Sequence, residues 1–530
     1  KGEAVWDNER IVAFLKKLPD SEPFIPAAVT ALGKNGAELL LANNETMTLS
    51  SNAMRWAGKS PVKVGEQIWI RKRDNGEWVL GQIPAANSAL VSLNSDNGAI
   101  EAMVGGFSYE QSKFNRATQS LVQVGSSIKP FIYAAALEKG LTLSSVLQDS
   151  PISIQKPGQP LWQPKNSPDR YDGPMRLRVG LGQSKNMIAI RALQTAGVDF
   201  TAEFLQRFGF KRDQYFASEA LALGAASFTP LEMARAYAVF DNGGFLIDPY
   251  LIEKIQDNTG KDLFVANPKI ACIECNDIPV VYGETKDKIN GFANIPLGEN
   301  ALKPSDDSTN GEEVDQQPET VPELPELQSN VTALKEDAID LMADAKNGSS
   351  KTEYAPRVLS GELAFLIRSA LNTAIYGEQG LDWKGTSWRM ANEIKRKDIG
   401  GKTGTTNNSK VAWYAGFGAN LTTAVYIGFD DNKFDLGRGE AGAKSAMPAW
   451  ISYMKAILKE VPERTLPTPA NIVEKNIDPR SGLLSGGGRV EYFIKGTEPT
   501  RAYVEERGYY VPSDLQEGGG ASGGQREELF

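Results

Sequence analysis

Val124-Gly125-Ser126-Ser127-Ile128-Lys129-Pro130 is the stretch on which the reading of this chain turns. Helical periodicity runs from Ser127 to Glu138 and is closed by Gly140, and Pro130 is tolerated because it falls in a first turn. A spacing of i to i+3 places Ser126 and Lys129 on one helix face, within side-chain reach of each other. The helix start adds unpaired N–H groups and the positive end of the dipole, which favour negative charge developing near Ser126. A serine with an amine beside it is a nucleophile with a base, provided burial or a neighbouring cation keeps Lys129 neutral. Taken alone, S-x-x-K is frequent by chance, and a surface serine beside a solvated lysine is its commoner explanation.

Composition makes lysine the base to look for. Among 530 residues there is no histidine, which excludes a Ser-His-Asp triad, imidazole acid/base chemistry, His-ligated zinc and haem on a proximal histidine. Cys272 and Cys275 are the two cysteines; without histidine they cannot complete a standard zinc set, and their loop-like flanks disfavour a redox-catalytic pair. A local disulfide or an idle thiol pair is left, and neither a metal nor a cofactor is expected. The net charge of −9 removes the basic surplus that nucleic acid or an anionic membrane would reward. No run of eighteen apolar residues appears, so the chain reads as a soluble piece, cut from something longer.

Working outward from Ser126, the pattern divides. Upstream, an amphipathic segment over Asn8 to Leu18 precedes five short alternating runs: Ala27 to Leu32, Ala37 to Leu41, Thr46 to Leu49, Gln67 to Arg71 and Trp78 to Gln82. Turn signals at Lys34-Asn35-Gly36, Val64-Gly65 and Asp74-Asn75-Gly76 separate them, which suggests a small all-β barrel of OB type over residues 1–86. Arg71, Lys72 and Arg73 beside Trp69 and Trp78 resemble a stacking platform for single strands, but a basic hairpin tip over a small core is the commoner arrangement.

From Ser88 a hairpin signal around Asp96-Asn97-Gly98 opens a second unit, expected over 87–490. It carries helices over Ser127–Glu138, Asn186–Gly197, Pro230–Phe240, Gly361–Thr373 and Pro448–Lys459, and strands over Lys402–Thr406, Val411–Phe417 and Thr422–Phe429. That is an α+β class, an antiparallel sheet flanked by helices. Between about 297 and 352 the composition falls to Asp, Glu, Pro, Ser, Asn and Gln, which reads as an acidic insertion with one helical stretch at Val331 to Lys346. A C-terminal extension over 491–530 turns Gly-rich from about 517.

Two more motifs change the weight of Ser126 and Lys129. Ser184-Lys185-Asn186 opens a helix, where an N-cap serine is the bland explanation, and Lys402-Thr403-Gly404-Thr405-Thr406 starts a strand, where a glycine-interrupted edge strand is. In order and context, S-x-x-K, S-x-N and K-T-G are the triple of penicillin-recognising serine enzymes. The chain resembles the class A penicillin-binding proteins of the Gram-negative 1a type, and the likeness extends through Trp162-Gln163-Pro164-Lys165-Asn166, Leu221-Ala222-Leu223-Gly224, Phe228-Thr229-Pro230 and Asn242-Gly243-Gly244. It covers nearly the whole chain, without the glycosyltransferase domain, whose signature contains a histidine. Val124 departs from the family, which usually has proline there; loop stiffness is expected to change more than chemistry.

The resemblance implies a transpeptidase fold and a peptidoglycan D,D-transpeptidase that cross-links stem peptides. It implies that Ser126 attacks the D-Ala-D-Ala carbonyl while Lys129 takes its proton. Ser184 relays that proton to the leaving amine, helped by Lys402, and Asn186 orients Lys129 and the substrate amide. Backbone N–H groups of Ser126 and Thr405 form the oxyanion hole. Thr403 and Thr405, two apart on a strand, share a face and bind the terminal carboxylate, with Gly404 and Thr406 completing the substrate and β-lactam site. The pleat alone points Lys402 with Gly404, so its role rests on the resemblance. β-Lactams are implied as covalent inhibitors, a regulatory protein as partner of the OB-like domain, and the periplasm as location, with an inner-membrane tether in the full protein only.

Other readings use the same residues. A D,D-carboxypeptidase differs only in that water attacks the acyl-serine. A class A β-lactamase adds a glutamate within E-x-x-L-N, and none lies between Ser184 and Lys402. A non-catalytic scaffold would have no reason to keep Ser126, Lys129, Asn186 and Lys402 together.

Overall fold

The computed structural model describes residues 6–503 except 20, 59–60, 159, 276, 283–351, 379 and 432. The acidic insertion, its helix at Val331–Lys346 and the Gly-rich tail lie outside the described residues.

Alternation and turn chemistry build the first unit. Helix α1 (Asn8–Leu15) is capped by Asp7, whose carboxylate accepts from Arg10 N at 2.8 Å, and it buries Leu15. Strands β1 (Phe24–Gly33), β2 (Gly36–Leu41), β3 (Thr46–Ser50), β4 (Gln67–Lys72) and β5 (Trp78–Gly81) pair antiparallel in the order β3-β2-β1-β4-β5. β5 returns against β3, so the sheet curls toward a barrel around Ala27, Val29, Leu39, Leu49, Ile70 and Leu80. Trp78 packs on that core with Lys72 over its ring, and Arg73 pairs with Glu77, so the basic tip is a solvated hairpin end.

The chain leaves the barrel at Gly81 and enters a second sheet at β6 (Asn87–Asn94) and β7 (Ile100–Val104). About three hundred residues later it adds β8 (Gly400–Thr405), β9 (Val411–Gly418) and β10 (Leu421–Gly428), giving the antiparallel order β8-β9-β10-β6-β7. β9 is apolar throughout because both its faces are covered. Trp413, Ala415 and Phe417 face the main core, whereas Ala412 and Tyr414 face a second core with Trp450 and Met454 of helix α7 (Ala446–Ile457). The main core is filled by α2 (Lys129–Glu138), α3 (Leu177–Gly182), α4 (Asn186–Ala196), α5 (Pro230–Asp241) and α6 (Gly361–Tyr376). Helix α5 shows how local the signals are: Thr229 and Glu232 form a reciprocal capping box and Pro230 takes the first turn.

Strands β11 (Ile472–Ile477) and β12 (Arg489–Ile494) close the described chain as a hairpin. Residue 490, the expected end of the second unit, falls within β12. Cys272 and Cys275 are bonded to each other.

Candidate active site

Three segments distant in sequence meet at one edge of the second sheet. The expected helix start at Ser127 is instead a 3-10 turn, Gly125–Ile128, that hands over to α2 at Lys129. In a 3-10 turn residues i and i+3 eclipse, so Ser126 and Lys129 stand one above the other. The turn is held by its floor and its side. Gly224 lies beneath it at φ +81°, where a Cβ would stand 2.1 Å from Gly125 O. Gly125, at φ +51°, lies against β8, where a Cβ would stand 2.5 Å from Thr405 O and 3.2 Å from Thr405 N. Tyr237 Oη donates to Ser127 O at 2.7 Å, and Val124 N donates to Ala226 O at 3.1 Å, a bond that proline could not make. Gly404 serves this packing too. A Cβ there would meet Ser127 Oγ at 2.3 Å and Val124 O at 2.5 Å, so its missing side chain makes room for the serine turn.

Ser184 is not the N-cap that its position suggests. It lies at φ +59°, with its N–H on Leu181 O at 3.0 Å and the Lys185 N–H on Gly180 O at 2.9 Å. This is the Schellman closure of α3, with serine in the left-handed position that glycine usually takes, at a cost of roughly 1–3 kcal/mol that the surroundings must offset. Lys185 is the N-cap of α4, and its ammonium bridges Asp149 at 2.9 Å and Asp172 at 2.6 Å. Asn166 Oδ1 accepts from Asn186 N at 2.8 Å, and Asn186 Nδ2 donates to Lys165 O at 2.6 Å. The 162–166 stretch thus supports the S-x-N turn, a role that single-sequence reading has no means to assign.

Two lysines converge on Ser184. Lys129 Nζ donates to Ser184 O and to Asn186 Oδ1, each at 2.7 Å, and lies 3.3 Å from Ser184 Oγ. Lys402 Nζ donates to Ser184 Oγ at 2.8 Å across 218 residues of sequence, and to Thr403 O at 2.9 Å. Lys402 shares its face of β8 with Gly404, whose Cβ would meet Ser127 and Val124, so the pleat itself turns the lysine toward the serine turn. Both lysines are fully buried, whereas Ser126 is half-exposed. Burial, and then the Lys402 cation against the opposing pull of Asp149, holds Lys129 well below the ordinary lysine value. Burial alone pushes Lys402 down to about 7. A neutral Lys129 amine has two N–H groups, which the two 2.7 Å bonds use, leaving its lone pair available to take a proton.

The remaining expected residues divide. Thr403 is buried beside Lys402, and Thr405, half-buried, accepts from Gly442 N at 3.1 Å through its hydroxyl. Thr406 is spent on the β8–β9 turn, its hydroxyl accepting from Val411 N at 3.0 Å. An arrangement with a half-buried serine, a dry amine of lowered basicity, a hydroxyl shared by two lysines and a threonine-bearing edge strand suits acyl transfer through a serine ester.

Comparison with known proteins agrees with this chemistry. Residues 88–271 match the penicillin-binding protein transpeptidase domain, 1–86 the penicillin-binding protein OB-like domain and 468–503 the C-terminal domain of penicillin-binding protein 1A. The last of these ranges holds the β11–β12 hairpin whole. The chain is 83% identical to penicillin-binding protein 1A of Haemophilus influenzae over its full length, and 48% identical to that of Escherichia coli. It spans 63% and 62% of those relatives, somewhat under two thirds. The crystal structure of the Haemophilus influenzae protein superposes with a TM-score of 0.81 at 76% identity, covering 95% of this chain and 67% of that one. Penicillin-binding protein PonA1 of Mycobacterium tuberculosis, at 18% identity and a TM-score of 0.50, shares the fold over 77% of this chain and 84% of its own. With its OB-like, transpeptidase and C-terminal domains in this order, the chain belongs to the penicillin-binding protein 1A family.

Proposed function

We propose that the chain is the cross-linking part of a peptidoglycan D,D-transpeptidase working through an acyl-serine. The observation that carries this is the convergence of buried Lys129 and Lys402 on Ser184 beside the turn that presents Ser126. Ser126 Oγ attacks the penultimate D-Ala carbonyl as Lys129 takes its proton. The C–N bond then breaks, and the proton passes through Ser184 to the departing D-Ala amine, leaving an ester on Ser126. An acceptor amine attacks that ester, a new C–N bond forms, and Ser126 recovers its proton. The N–H groups of Ser126 and Thr405 receive the oxyanion; loss of one such donor typically costs about 10²–10³ in rate. Their proximity across Gly125 supports this pairing. Thr403 and Thr405 receive the terminal carboxylate, with Lys402 lending charge.

Water in place of the acceptor gives a D,D-carboxypeptidase on the same residues. β-Lactams form the same ester and stay, because no amine leaves. The OB-like unit over 1–86 is the place for a regulatory partner, and the core from 87 onward is the catalytic unit. We place the full protein in the periplasm, anchored in the inner membrane by a segment outside these 530 residues; no helix among the described residues is long and apolar enough to cross a membrane.

Intact mass after brief incubation with penicillin, followed over hours, tests the reading. A one-drug increase that persists, and is absent in Ser126→Ala, is expected. An adduct that clears within seconds would mean a β-lactamase, and no adduct would leave a scaffold.

A further inference from the structure

Two hollows open beside the site and meet along one wall. The first, of about 480 Å³, is lined by Ser184 and Arg170 on one side and by Asp382, Trp383 and Lys384 on the other. The second, of about 600 Å³, is also lined by Asp382 and Trp383 and ends at Pro479 and Arg480, in the turn between β11 and β12. The wall between them is built. Trp383 Nε1 donates to Glu378 Oε2 at 3.1 Å, and the absence of a side chain at Gly182, where a Cβ would stand 2.7 Å from the indole, lets the ring lie on α3. Thr386 N donates to Gly182 O at 3.0 Å. The far end is fixed by the same network, because buried Arg176 pairs with Glu378 and donates from Nε to Pro479 O at 2.7 Å. Lys384 and Arg480 are exposed, and Asp382, exposed as well, forms no ion pair among the described residues.

Transfer chemistry says what such a groove is for. By microscopic reversibility the arriving amine occupies the place of the departing one, beside the Ser184 hydroxyl that handled its proton. The peptide behind that amine must run out past Ser184, where the first hollow begins. Resting on the transpeptidase reading, we propose that the groove from Ser184 past Trp383 to Arg480 holds the acceptor stem peptide, a short chain with free carboxylates and a free ammonium. Lys384 and Arg480 receive the carboxylates, and Asp382, on the same hollow as Ser184, draws in the ammonium, which gives up a proton before it reacts. The amine that reacts forms its C–N bond as the C–O bond to Ser126 breaks, and its proton returns to the Ser126 oxygen through Ser184 and Lys129. The C-terminal hairpin then has a use in catalysis, since it forms the far wall of the acceptor path.

The acyl-enzyme from a donor peptide ending in D-Ala-D-Ala is offered water together with a stem tetrapeptide carrying a free side-chain amine. The ratio of cross-linked to hydrolysed product is followed against tetrapeptide concentration. Both products come from one acyl-enzyme, so changes in acylation rate cancel. Asp382→Lys and Arg480→Glu are each expected to raise the half-maximal tetrapeptide concentration about tenfold. A curve identical to wild type in both variants would overturn the groove while leaving the acyl-serine intact. A wild-type protein that neither retains penicillin nor turns over donor peptide would overturn the parent reading instead.

Discussion

Lys402 reaches Ser184 from the face of β8 that it shares with Gly404, and at about 7 its charge is lost close to neutrality. On the proposed mechanism acylation needs Lys129 neutral and Lys402 charged, so the two lysines are expected to set opposite limbs of the pH profile. The rate of penicillin acylation should rise with pH as Lys129 gives up its proton, and fall as pH passes about 7 and Lys402 becomes neutral. A guanidinium does not deprotonate in a protein. In Lys402→Arg the rate should be lower but the alkaline limb should move up by more than a unit, as read by stopped-flow acylation from pH 5 to 10. A limb that stays in place would assign it to another group. The identities of these residues were legible in the sequence because each sits in a short motif. Their geometry was not: the left-handed Ser184 and the reach of Lys402 depend on partners 55 and 218 residues away.

The elements that position the site depend on glycine as much as on side chains. Gly224 ends the 3-10 segment Glu219–Leu223 in the left-handed region, and its missing side chain is the space into which Gly125 fits. Gly224→Ala places a methyl within 2.4 Å of three Gly125 backbone atoms, so the serine turn must shift. We expect acylation to fall at least about 100-fold, the scale of an angstrom's misplacement, while circular dichroism stays close to wild type. Unaltered acylation would show that the turn tolerates the shift. Most elements were readable to within a few residues, since turn signals bound the barrel strands and a capping box opens α5. The 3-10 turn at Gly125 escaped because what packs against it, the backbones of Thr405 and Gly224, lies outside any local window. The β11–β12 hairpin was divided because Val490 gives no sign of its cross-strand partner, Asn476.

At the scale of the molecule, a buried ionic cluster joins the C-terminal hairpin to the catalytic core. Arg178 grips Glu491 at 2.5 Å, Arg176 grips Glu378 at 2.5 Å, and all four side chains are within 1% of full burial. Burial pushes the Glu491 carboxyl up, but Arg178, together with Arg489 and the Tyr492 N–H, holds the group below its ordinary 4.5. A carboxylate with a depressed pKa adds stability that is complete above its unfolded value and is lost as pH falls from there through the folded value. Glu491→Ala leaves the buried Arg178 guanidinium without its carboxylate and should cost about 3–5 kcal/mol, with Glu491→Gln between it and wild type. Thermal unfolding at pH 7 and pH 4 should show the variants and wild type converging at the lower pH; a constant gap would mean that packing, not charge, is what was lost. The order of strands in the second sheet has a consequence in time. β6 and β7 leave the ribosome first and must wait for the roughly 300 residues before β8, which at 5–20 residues per second takes about 15–60 s. Through that interval β6 presents a bare edge that only β10 is meant to cover, so the nascent hairpin is open to adventitious strand pairing. On the proposed mechanism, a truncated product ending before Lys402 has Ser126 but lacks the second lysine, so β-lactam labelling of newly made chains is expected to count only those that extend past residue 402.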